Sequence, residues 1–269
     1  MMKLLVQSDD YGFTKGTTLG ILEAIDHGIV RNTGLFVNMG ESSEWAVKEI
    51  LKRPQACLGI DFNIVSGPCV SDPQRIPHLV DEKGYFIRST EKYKDPQFGK
   101  KELWPYTEVM IEIRNQFRKF TELTGKNPEY LHTHSISPVS PAYIRAISDL
   151  SKETGIPFSA EVVSQLSIQR LKGKYNVKPF SLEAQSKTDV TEYYKNHLCE
   201  LDLAGTAMLG CHCGYVDAEI FRWSTYTLIR CRDLEAFTSD FMKDWVKNNQ
   251  IQLITYRDLQ SELQAAVRP

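Results

Sequence analysis

The feature that most constrains the fold is a regular alternation of short apolar runs with amphipathic helical segments. Lys3–Ser8 (KLLVQS), Thr33–Asn38 (TGLFVN), Cys57–Ile64 (CLGIDFNI), Tyr130–Ser135 (YLHTHS), Pro157–Val162 (PFSAEV), Ala207–Cys213 (AMLGCHC) and Ile251–Tyr256 (IQLITY) read as buried strands. Between them, Thr17–Gly28, Glu44–Leu51, Lys101–Thr124, Pro141–Thr154, Asp189–Leu201 and Tyr226–Asn248 carry helical patterns. Gly28 and Gly125 supply stop signals. Leu166–Gln185 fits neither period. Strand followed by helix, many times over, specifies a parallel sheet. The expected fold is therefore α/β, a TIM-barrel-like (β/α) barrel of roughly seven strands. An open doubly wound sheet is the alternative, because periodicity carries no information about closure.

A length of 269 residues suits one such barrel, and no repeat or long Pro/Gly/Ser linker divides the chain. We read residues 1–269 as a single catalytic domain with a long irregular insertion around 65–101. Insertions of that length in compact domains usually carry function. A net charge of −2 favours neither nucleic acid nor an anionic membrane as partner. A small, weakly charged molecule fits better. The opening MMKLLVQSDDYG lacks the apolar stretch of a secretory signal, and no run approaches the roughly 18 apolar residues of a membrane span. A cytoplasmic location follows as an expectation. The six cysteines form no spacing framework and are expected to be reduced, with Cys211 and Cys213 packing as small apolar residues.

In parallel α/β folds the ligand site lies at the carboxyl ends of the strands. Asp9 and Asp10 follow the first strand, Asp61 comes late in the third and His134 ends the fourth. Glu161 lies late in the fifth run, and His212 near the end of AMLGCHC. Buried carboxylates are costly unless paired or bound to metal, so this convergence points to one site. Taken singly, each has a plainer role: Asp9 or Asp10 capping a turn, His212 packed in the core, Glu161 in a salt bridge. His132 and His134 alternate on one strand and share a face. Oxygen and imidazole donors suit Mg²⁺, Mn²⁺ or Zn²⁺. An ion on Asp10, Asp61 and His134, with Asp9 as base and His212 as acid, describes hydrolysis of an amide or ester. No phosphate loop or dinucleotide fingerprint is present.

These residues also carry a resemblance. LLVQSDDYGFTKGTTLGILEAIDHGIVRNTGLFVN, LGIDFNIVSG, PEYLHTHSISP, LGCHCGYVD and the tail around Arg230, Glu235 and QLITYRDL are similar to successive motifs of the YdjC-like carbohydrate deacetylases, over nearly the whole chain. The resemblance implies a distorted (β/α) barrel, a divalent ion (Mg²⁺ first, Zn²⁺ or Mn²⁺ as alternatives) and a homodimer. It implies removal of an acetyl group from N-acetylated sugars, such as chito-oligosaccharides or phosphorylated disaccharides. Asp9 then matches the base, Asp10 and His134 metal ligands, and His212 the acid. Asn38, Tyr215 and Arg230, with His132 and Glu161, are expected to contact substrate or support the ligands. The chain departs from the family where Asp61 stands for a histidine and His132 for an aspartate, an apparent exchange within the site. Cleavage of a phosphorylated disaccharide by two carboxylates, and non-catalytic sugar binding, are the competing readings. The aromatic residues Tyr85, Phe86, Tyr93, Phe98 and Trp104 of the insertion and its edge are expected to serve sugar stacking.

Overall fold

The buried apolar runs pair side by side and in one direction. In the computed structural model, which describes residues 1–171, 175 and 180–266, the first half is β1 (Lys3–Tyr11), α1 (Lys15–Asp26), β2 (Asn32–Leu35), α2 (Glu41–Ile50), β3 (Cys57–Phe62), α3 (Ser89–Lys92), α4 (Tyr106–Thr124), β4 (Leu131–Thr133) and α5 (Pro141–Thr154). The second half is α6 (Ser159–Gln165), α7 (Leu182–Lys187), α8 (Val190–His197), β5 (Thr206–Cys211), α9 (Ile220–Trp223), α10 (Ile229–Thr238), α11 (Asp240–Asn248), β6 (Gln252–Ile254) and α12 (Gln260–Ala266). The sheet runs β4-β3-β2-β1-β5, all parallel. β6 pairs with Lys3–Leu5 of β1, while β2 pairs with Gln7–Tyr11. Every residue of β2 and β3 is buried, as strands covered on both faces require.

Among the described residues the sheet has six strands, and Pro157–Val162 is not the extended strand expected from its apolar ends. Ser159, Ala160 and Glu161 begin α6, and Phe158 alone makes a parallel bridge, to Leu131. Gln169 makes another parallel bridge, to Ala207 of β5. Residues 158–169 therefore reach from one edge of the sheet to the other, and the fold is a distorted (β/α) barrel. Part of the ambiguous stretch Leu166–Gln185 lies outside the described residues. Tyr226–Asn248 is also two helices. Ser239 is extended (φ −62°, ψ 150°) and accepts from the Met242 amide, so it closes α10 and caps α11.

Local signals set the remaining boundaries. Thr14 and Thr17 form a reciprocal capping box at the start of α1. α5 begins at Ser140–Pro141 and ends on Gly155, whose φ of 71° suits glycine. Among the described residues no helix is long and apolar enough to cross a membrane.

The insertion is tied down by α4. The buried Glu112 accepts the Val70 and Ser71 amides through its two oxygens and also bonds Gln116. Ile76, Leu79, Phe86 and Trp104 pack into the core. Phe86 and Trp104 are thus removed from any sugar-stacking role, because their rings supply apolar area the insertion needs to fold. Glu112→Ala strands two amides, each costing about 1–3 kcal/mol when buried without a partner. Chemical denaturation should show a loss of that order, and an unchanged midpoint would refute the clamp.

Candidate active site

The site begins with a backbone irregularity. Neighbouring residues of a regular strand point to opposite faces, so Asp9 and Asp10 would normally diverge. The register of β1 against β2 shifts between Ser8 and Tyr11, and Asp10 takes a left-handed φ of 71°. Bulges of this kind re-aim side chains beside functional sites. Both carboxylates turn into the same end of the sheet. The Asp10 amide donates to Asp61 Oδ2 at 2.8 Å, which fixes a third carboxylate there. Asp61 lies flat over Gly34: a Cβ at that position would come within 1.6 Å of Asp61 Oδ1.

The carboxylates have different partners. Asp10 Oδ2 meets Arg230 Nη2 at 2.6 Å and Asp10 Oδ1 meets His134 Nδ1 at 2.9 Å. Asp10 and Arg230 are each 1% exposed, a buried ion pair, and the guanidinium lies over the rings of Phe13 and Tyr226. Asp9 Oδ2 instead faces His132 Nε2 at 3.4 Å and His212 Nε2 at 3.9 Å, while its Oδ1 accepts from Gln7. Ligand atoms of Asp9, Asp61 and His132 lie within 4.8 Å of one another, a group placed to hold a metal ion. Of the three ligands expected from sequence, Asp61 stands in this group, and Asp10 and His134 stand with Arg230.

Charge separates the two groups. Burial raises the Asp10 carboxyl, but His134 and Arg230 outweigh it and hold the group well below the usual range. Burial raises Asp9 as well, and His132, His212 and the Gln7 hydrogen bond bring it below its ordinary value. Asp61 is pushed far up by burial and then by the Asp9 charge. Burial lowers His132, but Asp9 and Asp61 overcome it and raise the imidazole to about 9. Two carboxylates thus share one imidazole, and Asp61 Oδ1 is buried without a hydrogen-bond partner among the described residues. A donor set of two carboxylates and one imidazole suits a hard divalent ion.

Two cavities flank this centre. The larger, about 670 Å³, is lined by Asp9, His132, Ser159, Arg170 and several tyrosines. The smaller, about 270 Å³, is lined by Asp10, His134, Arg230, Arg88, Tyr93 and Trp223. His212, Ser135 and Tyr226 line both. The His212 amide is held by Asp233, a fully buried carboxylate that also accepts the Tyr175 hydroxyl.

Other expected site residues lie elsewhere. Glu161 bonds Ser148, Asn38 holds the Ser66 and Pro68 carbonyls, and Tyr215 is exposed; none lines either cavity. Tyr85 stacks on Trp223 and Tyr93 packs on Phe98. Gln7, Ser159, Asp233 and Tyr256 were missed by sequence reasoning. A glutamine inside the apolar run of β1 was a signal for the first; the other three join the site only through tertiary contact.

The molecule is thus an α/β-barrel protein with an acid–imidazole centre at its strand ends. A family model described as YdjC-like protein matches residues 3–248, and the chain belongs to that family. It is 29% identical over 266 residues to a protein named carbohydrate deacetylase 2 of Listeria innocua, covering 96% of this chain and 99% of the relative. It is 28% identical over 266 residues to a chitooligosaccharide deacetylase of Klebsiella pneumoniae, with 95% and 98% covered. The fold matches a solved structure from Enterococcus faecalis, described provisionally as a cellobiose-phosphate cleavage protein, with a TM-score of 0.75, 20% identity and 96% and 98% covered.

Because the folded-state pKa of His132 lies above its ordinary 6.5, its contribution is full below that value and is lost as pH rises through about 9. With chelator present, denaturation midpoints should fall between pH 6.5 and 9. His132→Gln should flatten that decline. An equally steep decline in the variant would contradict the arrangement.

Proposed function

We propose that the protein is a metal-dependent carbohydrate deacetylase that hydrolyses the N-acetyl amide of an amino sugar or a short oligomer of it. The observation that carries this reading is the convergence of Asp9, Asp61 and His132 beside a cavity that Asp9 and His132 line. The names of the relatives in Listeria innocua and Klebsiella pneumoniae support the substrate class. Asp9, Asp61 and His132 would hold the ion, with Mg²⁺ or Mn²⁺ preferred over Zn²⁺ because oxygen donors dominate. When bound, the ion supplies electrophilic polarisation of the acetyl carbonyl.

The remaining chemistry belongs to the two imidazoles. Asp10, pinned by Arg230, orients His134 through Nδ1 and leaves Nε2 to accept a proton from water. His212 lines both cavities and delivers a proton to the departing sugar amine. The sequence reading gave the base role to Asp9; its closeness to Asp61 and His132 favours a ligand role instead. A homodimer accompanies this proposal from the family resemblance, and a cytoplasmic location from the sequence pattern. Glycosidic cleavage by a carboxylate pair is disfavoured, because neither Asp61 nor Glu161 lines a cavity in which it could face Asp9 across a sugar.

Purified protein should release acetate from N,N′-diacetylchitobiose, lose the activity to a chelator and regain it with Mg²⁺ or Mn²⁺. Turnover without acetyl release, or binding alone, would refute the reading. His134→Ala and His212→Ala should each lower kcat by about 10²–10⁴ while keeping the ion. His132→Ala should lose the ion. Loss of the ion in His134→Ala, with retention in His132→Ala, would instead favour the seat Asp10, Asp61 and His134.

A further inference from the structure

Beneath the proposed seat, buried polar groups back both Asp9 and His132. Gln7 Nε2 donates to Asp9 Oδ1 at 2.5 Å, and the Tyr256 hydroxyl donates to Gln7 Oε1 at 2.7 Å. His132 Nδ1 lies 2.5 Å from Ser159 Oγ. Gln7, Ser159 and Tyr256 are each no more than 1% exposed, so water does not compete for these groups. They come from β1, the start of α6 and the turn after β6.

An ionised carboxylate only accepts, so the Gln7 amide turns its NH₂ toward Asp9 and its carbonyl toward the Tyr256 hydroxyl. His132 turns Nε2 toward Asp9 and the seat, and Nδ1 toward Ser159 Oγ. A neutral imidazole that offers Nε2 to an ion carries its hydrogen on Nδ1, and Ser159 Oγ is placed to accept it. Histidines that bind metals are held in this way by a partner on the other ring nitrogen, and losing that partner typically costs about 10–100-fold in affinity.

We infer that Ser159 is a positioning residue that accepts from Nδ1 of His132 and so makes its Nε2 a metal ligand. The inference rests on the ion seat proposed above. It also gives the Asp/His exchange at positions 61 and 132 a physical requirement: an imidazole at 132 needs an acceptor behind it, and Ser159 is that acceptor.

The test is calorimetric titration of chelator-stripped protein with Mn²⁺. Ser159→Ala should weaken binding about 10–100-fold. Ser159→Thr, which keeps the hydroxyl, should retain wild-type affinity. In the Zn²⁺-loaded protein, ¹⁵N NMR should show His132 protonated at Nδ1 and ligated through Nε2. Wild-type affinity in Ser159→Ala, with His132→Ala unable to bind, overturns the positioning role and leaves the seat intact. Ligation through Nδ1 also overturns that role. No Mn²⁺ uptake by the wild-type chain overturns role and seat together.

Discussion

The buried pair between Asp10 and Arg230 is the interaction on which the rest of the site depends. It joins the distorted end of β1 to α10, two elements 220 residues apart in sequence. Removing one partner of such a pair typically costs about 3–5 kcal/mol, because the other charge stays buried alone. The pair also stabilises an unfavourable backbone. A left-handed φ at a non-glycine residue costs on the order of 1 kcal/mol, and Asp10 holds it through Arg230, His134 and its amide bond to Asp61.

From that anchor the division of labour follows by charge. Asp10 already has Arg230 and His134 as partners, which fits it for the orienting role proposed above. Asp9 and Asp61 stand close together beside His132, with His212 3.9 Å from Asp9. Like charges at close range in a dry site are unfavourable unless a cation or a proton joins them. Burial and then the Asp9 charge raise the proton affinity of Asp61, and Asp9 and Asp61 raise that of His132 against its burial. A divalent ion at this point and a proton are therefore competitors, which links ion binding to pH.

Much of this was legible in the sequence, for identifiable reasons. Strand-end placement located Asp9, Asp10, Asp61, His134 and His212, because in a parallel sheet the carboxyl ends of strands converge whatever the loops do. The YdjC-like motifs were likewise readable. The grouping of these residues was not. It depends on the bulge at Asp9–Asp10, and the strand pattern there carries no glycine or proline to mark it. Pro157–Val162 looked like a strand because its apolar ends outweighed the Ser-Ala-Glu helix start within it. That misreading also hid Ser159. Glu161, given a strand position, was expected in the site, but helical geometry turns it toward Ser148 of α5. Phe86 and Trp104 could not be distinguished from surface aromatics until the packing of the insertion against α4 was known.

The ion seat proposed at Asp9, Asp61 and His132 is tested most directly by anomalous diffraction from crystals equilibrated with Mn²⁺. One strong anomalous peak is expected, bounded by those three side chains, with His132 engaged through Nε2. A peak between Asp10 and His134, or none at any Mn²⁺ concentration that supports acetate release, would contradict it.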